Sequence, residues 1–297
     1  MKVLLCGAQG FIGRHLLTRL LAQGHQVRAT SSCALLPPAS EGLAWIQANF
    51  VRDLDPRDWL PRLDGVEAVI NAVGVLRDSR KRPMEAVHHL GPAALFEASA
   101  QAGVRRLVQI SALGIAHSEI QYARSKRAAE ARLLALQDAG RLAASVVQPS
   151  IVFGPGGASS ELFLRMARLP GLLLPAEALH CQVQPVAVAD LAEACERLLS
   201  LSGPERLAAV GPQALSLADF IASLRQQLGK APAWTGLLPG PISRLSARLG
   251  DCLPFQPWGR ETLALLQQDN CADPAPMQTL LGRQARQPSS FVNREAS

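Results

Sequence analysis

Val3-Leu4-Leu5-Cys6-Gly7-Ala8-Gln9-Gly10-Phe11-Ile12-Gly13 decides the fold. Four apolar residues run into a glycine turn. The turn runs into a stretch with apolar residues at 12, 16, 17, 20 and 21. The first piece reads as a strand buried on both faces, the last as a helix from Phe11 to Gln23. Gly7 permits a tight turn. Gly10 lets the backbone approach a pyrophosphate, whose charge meets the helix N-terminus. Gly13 allows close packing of helix on strand. Glycines alone are a weak signal; glycines between a strand and a helix point to a dinucleotide-binding turn.

Working outward, the same alternation continues. Gln26 to Thr30, Leu43 to Ala48, Ala68 to Val73, Arg106 to Ile110 and Ala144 to Gln148 read as strands. Pro83 to Gln101 reads as a helix kinked at Pro92, and Ile120 to Gln137 as another. Near-continuous apolar strands alternating with helices predict an α/β fold with a Rossmann-type doubly wound parallel sheet over residues 1–150. After Pro149 the prolines and glycines thicken, at Gly154-Pro155-Gly156-Gly157, Pro170-Gly171 and Pro239-Gly240-Pro241. Helical patterns persist at 160–168, 188–201, 216–228 and 258–268. Residues 151–297 therefore read as a smaller, mainly helical part, interleaved with the last core strands and forming a substrate lid. The tail from Gly282 reads as polar and loose.

Composition narrows the classes. With 297 residues, 48% apolar and a net charge of +6, the chain is far from a disordered composition. No uninterrupted apolar run reaches about 18 residues, so no membrane span is expected, and peripheral association stays open. The glycine turn comes too early for a signal-peptide core. Six cysteines, at 6, 33, 181, 195, 252 and 271, form no Cys-x-x-Cys, so neither a metal site nor a disulfide frame is expected. Cys6 and Cys195 read as core thiols, and a reducing cytoplasm is the expected compartment. Residues 1–150 carry 18 basic and 12 acidic side chains, against 12 and 12 in the remainder. The short run Arg77 to Arg82 reads as a solvated loop, and no nucleic-acid partner is expected. An anionic cofactor in the first half accounts for the asymmetry.

The chain has a single tyrosine, Tyr122, and four lysines, at 2, 81, 126 and 230. One lysine follows the tyrosine by four residues, on the same helix face. An ammonium beside a phenol favours the phenolate, which suits a tyrosine that moves a proton to or from a carbonyl or hydroxyl oxygen. Cofactor choice is read at the end of the second strand. A chain selective for NAD often places a carboxylate there, for the ribose 2′-hydroxyl. This one reads Arg28-Ala29-Thr30-Ser31. Arg14, Arg28, Thr30 and Ser31 could cradle a 2′-phosphate, so NADP(H) is favoured over NAD(H).

Taken together, these residues resemble the short-chain dehydrogenase/reductase superfamily, in its extended and atypical, NAD-dependent epimerase/dehydratase-like branches. The motifs are Gly7-x-x-Gly10-x-x-Gly13, Asn71-Ala72-Val73-Gly74, Ile110-Ser111-Ala112-Leu113-Gly114, Tyr122-x-x-x-Lys126, Pro149 to Gly156 and Gln184 to Asp190, over about residues 1–200. Val87-His88-His89-Leu90-Gly91-Pro92 is most similar to an atypical group that includes the nucleotide-binding accessory subunit of mitochondrial respiratory complex I. The resemblance implies that Gly7, Gly10 and Gly13, with the flanking Phe11 and Ile12, bind the pyrophosphate. It implies that Asn49 and Phe50 flank the adenine, and that Ala72, Val73 and Gly74 line the adenosine side. It implies Tyr122 as acid/base, Lys126 on the nicotinamide ribose, and Pro149 to Val152, Ile151 included, past the carboxamide. Three positions depart from the pattern. Leu113 stands where a Ser or Thr is usual, with Ser111 as the substitute hydroxyl. His88 replaces a common Asn, and Gln148 a frequent Arg.

Other polar residues carry blander expectations. His88 and His89 read first as surface or satisfied core residues. Asp190 reads as a helix cap. Trp234, Phe255 and Trp258 read as core, or as the wall of a pocket for an apolar small-molecule substrate. Two functions stand: an NAD(P)-dependent oxidoreductase acting at a carbonyl or hydroxyl carbon, or a weak or inactive NADP(H)-binding protein serving assembly or redox sensing.

Overall fold

β1 (Lys2–Cys6) lies in the middle of a seven-stranded sheet, in a computed structural model that describes residues 1–116, 118–200, 203–252, 259, 263–264 and 268–292. On one side β1 pairs in parallel with β2 (Gln26–Ser31), and β2 with β3 (Leu43–Gln47). On the other side follow β4 (Ala68–Asn71), β5 (Arg106–Ile110), β6 (Ala144–Pro149) and β11 (Arg206–Ala209). The strand order reverses at β1, between β2 and β4. In an open α/β sheet that reversal leaves a crevice at the carboxyl ends of the strands. Val3, Leu4, Leu5, Val69, Ile70, Leu107 and Val108 are fully buried, as an unbroken apolar run in a doubly covered sheet requires.

Helices α1 (Phe11–Ala22), α2 (Pro56–Trp59), α3 (Gly91–Gln101) and α4 (Gln121–Asp138) belong to the same compact unit, residues 1–148 with 192–207. The kink expected at Pro92 takes the form of one wide helical turn over Ala86–Leu90. There the Gly91 amide donates to the Ala86 carbonyl, five residues back. Pro92 offers no N–H to the preceding turn, so α3 begins beyond that turn.

The second unit comprises residues 149–191 and 208–297. It contains β7 (Val152–Phe153) beside β10 (Val186–Ala187), β9 (Gln182–Val183) beside β12 (Leu215–Ser216), and a parallel pair, β8 (Gly171–Pro175) with β13 (Trp234–Leu238). Its helices are α5 (Ala158–Arg168), α6 (Ala176–His180), α8 (Leu217–Gln227), α9 (Gly240–Cys252) and α10 (Ala275–Leu281); α7 (Val188–Arg197) starts in this unit and ends in the first. None of its strand pairs was expected, because Pro170-Gly171 and Pro239-Gly240-Pro241 read as breaks between helical stretches. Phe153, Phe163, Phe220 and Phe291 form its aromatic core.

From Gly282 to Val292 the tail is docked, not loose. Asp190 is fully buried; its Oδ1 accepts from the Arg283 guanidinium at 2.8 Å and its Oδ2 from the Arg286 amide at 2.6 Å. The Phe291 ring stacks on Phe153 with centroids 5.2 Å apart. Asp190 therefore clamps the tail, which replaces its expected role as a helix cap. Phe255, Trp258 and most of the helix expected at 258–268 lie outside the described residues. No helix among the described residues is long and apolar enough to cross a membrane.

Candidate active site

The glycine turn has the geometry its spacing predicted. Gly7 sits at φ +82°, in the left-handed region, and a Cβ there would meet the Ala72 carbonyl carbon at 2.9 Å. A Cβ at Gly13 would lie 1.9 Å from the Gly7 carbonyl oxygen. Helix α1 is thus held against the turn by the absence of a side chain. Gly10 precedes the first residue of α1 and donates its amide to the Gly7 carbonyl at 2.9 Å. No side chain caps α1, and its first turn carries no acid. The opening amides at Phe11 and Ile12, at the positive end of the helix dipole, could therefore cradle an anion. Arg14 is exposed one turn into the helix.

Next to this cradle the second-strand residues are already occupied. Arg28 reaches the carbonyls of Arg62 at 2.6 Å and Asp64 at 3.2 Å, in the loop leading into the start of β4. It is tied to the amino edge of the sheet, away from the carboxyl edge where a phosphate would sit, and is withdrawn as a phosphate ligand. Thr30 is buried with its hydroxyl bonded to the Cys6 thiol. The Ser31 hydroxyl bonds Gln9 Oε1 at 2.9 Å, which ties the glycine turn to the end of β2. Asn49 is tied into its own loop: Oδ1 accepts from the Val51 backbone N–H, and the Asn49 backbone N–H donates to Asp53 Oδ2. The Phe50 ring is buried edge-on to Trp59, 4.9 Å between centroids, so it belongs to the core and not to an adenine face.

At β4, β5 and α4 the structure gathers a row of buried polar groups. Asn71 donates from Nδ2 to Gln109 Oε1 at 2.8 Å and accepts the Val73 amide at Oδ1, which fixes the Ala72-Val73-Gly74 turn. Gln109 donates in turn to the Ile110 carbonyl at 2.8 Å, and the same carbonyl accepts from Lys126 Nζ at 3.1 Å. Burial brings the Lys126 ammonium down to about 8, with the Glu130 carboxylate opposing that shift. Glu130 is held at both oxygens by Gln148 Nε2.

Ser111 follows Ile110, and its amide donates to the Val147 carbonyl at 2.7 Å. Its Oγ is buried without any hydrogen-bond partner. A buried hydroxyl without a partner costs about 1–3 kcal/mol, and a hydrogen bond to a water or a bound molecule would recover it. His88 completes the corner. Its Nε2 accepts from the Val75 amide at 2.9 Å, and its Nδ1 lies 3.0 Å from Ser125 Oγ, which itself donates to the Tyr122 carbonyl. This network assigns a neutral ring protonated at Nδ1. Burial, then repulsion from Lys126, keeps His88 down at about 3, so it stays uncharged. Its ring stands edge-on to Tyr122, centroids 5.3 Å apart. A Cβ at Gly74 would lie 3.5 Å from Lys126 Nζ and 3.6 Å from His88 Nε2.

Ser111, Tyr122, Lys126 and the 72–74 turn therefore share one corner of the first unit. Pro149 closes β6, while Ile151 packs on the aromatic core of the second unit. The sequence reading did not single out Gln109 or Ser125; His88 is the satisfied core histidine it allowed for, with both ring nitrogens bonded. The signal for Gln109 was a polar residue inside the apolar strand Leu107-Val108-Gln109-Ile110.

The comparison that fixes the family covers the same stretch. Residues 3–207 match the NAD dependent epimerase/dehydratase family. The chain belongs to that family. Within it, the ceramide reductase of Caulobacter vibrioides is 31% identical over 193 residues, 64% of this chain and 58% of that protein. Subunit 9 of the NADH dehydrogenase [ubiquinone] 1 alpha subcomplex of Arabidopsis thaliana mitochondria is 26% identical over 255 residues, 81% of this chain and 61% of that protein. The chain thus spans little more than half the length of these relatives. Among solved structures, UDP-glucuronic acid 4-epimerase from Bacillus cereus, in complex with UDP-glucuronic acid and NAD, superposes with a TM-score of 0.72 at 16% identity, over 98% of this chain and 96% of that one. At that identity the likeness shows the epimerase/dehydratase fold alone.

Proposed function

We propose that this family member is an NADP(H)-dependent oxidoreductase that reduces a carbonyl, or oxidises the matching hydroxyl, on an apolar small molecule. The observation that carries the reading is the orphaned Ser111 Oγ, in the corner that also holds Tyr122 and a buried Lys126. The turn at Gly7 to Gly13 and the uncapped start of α1 fit a pyrophosphate. Arg14 and the absence of a carboxylate at Thr30-Ser31 support a 2′-phosphate. When bound, the dinucleotide supplies or accepts the hydride. Tyr122 gives a proton to the carbonyl oxygen in reduction and takes it back in oxidation. Lys126, protonated below about pH 8, favours the phenolate that remains. Ser111 donates its unused hydrogen bond to the same oxygen, replacing the hydroxyl absent at Leu113. His88 holds the tyrosine turn without adding charge.

An apolar substrate is supported by Leu113 at that position and by the likeness to a ceramide reductase. Cytoplasmic location is supported by the fully buried free thiols of Cys6 and Cys195, each pushed up to about 12 by burial. One finding favours a second reading, an assembly subunit: the likeness to a respiratory-chain subunit covers 81% of this chain. Binding titrations with NADPH and NADH, followed by NADPH oxidation with long-chain ketones and quinones, separate the two. The proposal expects binding with turnover. Binding without turnover on any substrate supports the assembly reading, and no binding rejects both.

A further inference from the structure

Glu130 lies one turn after Lys126 on α4, on the same helix face, and both side chains are buried. The Glu130 carboxylate accepts from Gln148 Nε2 at 2.9 Å and 3.1 Å, and that donor is a neutral amide. Among the described residues, the cation within 4 Å of it is Arg206, whose Nε stands 3.8 Å from Oε2 and whose side chain is half exposed. An ion pair of that length with a solvated partner is weak. Lys126 is in the matching position. Its Nζ donates to the Ile110 carbonyl, and no carboxylate of the described residues accepts from it.

The other charged or titratable groups around Lys126 do not stabilise its charge. His88, from the wide turn before α3, lies across Gly74 from Nζ and is uncharged. Arg82, on the loop before that turn, is a cation and bears on His88. Tyr122, one turn earlier on α4, is the group whose phenolate Lys126 serves. β5 and β6 bring Gln109 and Gln148, which carry no charge. Glu130 is the acid that raises the ammonium against the lowering by burial. Two opposite charges one turn apart, both out of water, act on each other more strongly than the same pair on a surface.

We propose that Glu130 is a positioning residue of the reaction: it keeps the Lys126 ammonium charged and so sets the alkaline limit of proton transfer through Tyr122. Gln148 makes this possible. As an amide it holds the carboxylate without neutralising it, and the carboxylate charge is left to act on Lys126. The effect on turnover rests on the oxidoreductase reading, whereas the charge of Lys126 is measured without any substrate.

The test is carbon-13 NMR titration of the lysine Cε atoms in the full chain, with Lys126→Met assigning the signal, alongside the pH profile of kcat. In the wild type the Lys126 midpoint falls at about 8. Glu130→Gln keeps the shape and the contact with Gln148 but not the charge, and the midpoint moves down by about one unit. At pH 8 its kcat is about fivefold below wild type, and at pH 6 it is within about twofold. Glu130→Asp, which keeps the charge, returns the midpoint most of the way to the wild-type value. Gln148→Arg keeps Glu130 but sets a cation against it, and the midpoint moves down as in Glu130→Gln. A midpoint unmoved by either substitution would overturn the proposal. So would a kcat loss equal at every pH, which would make Glu130 a support of the fold. A midpoint that moves in a chain with no turnover on any ketone supports the charge assignment and rejects the oxidoreductase reading instead.

Discussion

The two corners of the first unit's carboxyl edge are built in opposite ways. At β1–β2 the work is done by backbone: a left-handed Gly7, Gly13 pressed on Gly7, and uncapped amides at the start of α1. Side chains there mostly serve the fold, with Arg28 on loop carbonyls and Thr30 on Cys6. At β4–β5–α4 the work is done by side chains, through Asn71, Gln109, Lys126, Ser125 and His88. One hydroxyl, Ser111 Oγ, is left over. A corner that must grip any pyrophosphate can be made of amides. A corner that must place a proton on one atom needs fixed side chains.

Breaking the backbone corner has the largest expected effect. Gly13→Ala puts a methyl 1.9 Å from a carbonyl oxygen, a clash that no rotamer relieves. The variant is expected to lose about 3 kcal/mol or more in denaturant unfolding, and to lose dinucleotide binding with it. Lys126→Met should separate stability from chemistry. Turnover falls about 100-fold or more, while the fold gains about 1–3 kcal/mol by shedding a buried charge. The sign can be checked by pH. Folding lowers Lys126 from 10.5 to about 8, so between those values the unfolded chain holds more protons, and wild-type stability rises with pH. Lys126→Met flattens that rise, and a wild-type curve without it would count against the burial of the ammonium.

Smaller effects sharpen the contrast. Ser111→Ala lowers kcat about tenfold to a hundredfold but leaves the melting temperature unchanged or slightly higher, because the lost hydroxyl had no partner to lose. A drop in both would make Ser111 structural. Smallest is cofactor choice: Arg14→Ala weakens NADPH binding about fivefold to tenfold and leaves NADH alone, as loss of one exposed charge contact should. Arg28→Ala leaves the NADPH affinity unchanged. If the two results were exchanged, the reading of the β2 corner would be reversed.

The same contrast explains what was legible in the sequence. The glycine turn was legible because a missing Cβ is written in the residue type itself. So were Tyr122 and Lys126, because i and i+4 share a helix face wherever the helix goes. Arg28 was misread because strand alternation gives the face of a residue but not the reach of a long side chain, and this one is spent on Arg62 and Asp64. The contacts of His88 were hidden for a related reason. Its partners, Val75, Ser125 and the Tyr122 ring, come from separate segments, and no local spacing brings them together. In the second unit the docked tail escaped notice because Asp190 and Arg286 lie far apart in the chain.

The central claim is that the only phenol in the chain moves the proton. Its most direct test is steady-state NADPH oxidation with an accepted ketone, in the wild type and in Tyr122→Phe, alongside NADPH affinity by fluorescence titration. The account predicts a kcat lower by about 100-fold or more, with affinity within about twofold, since the phenol acts in the reaction and not in holding the cofactor. Unchanged turnover in Tyr122→Phe would contradict it.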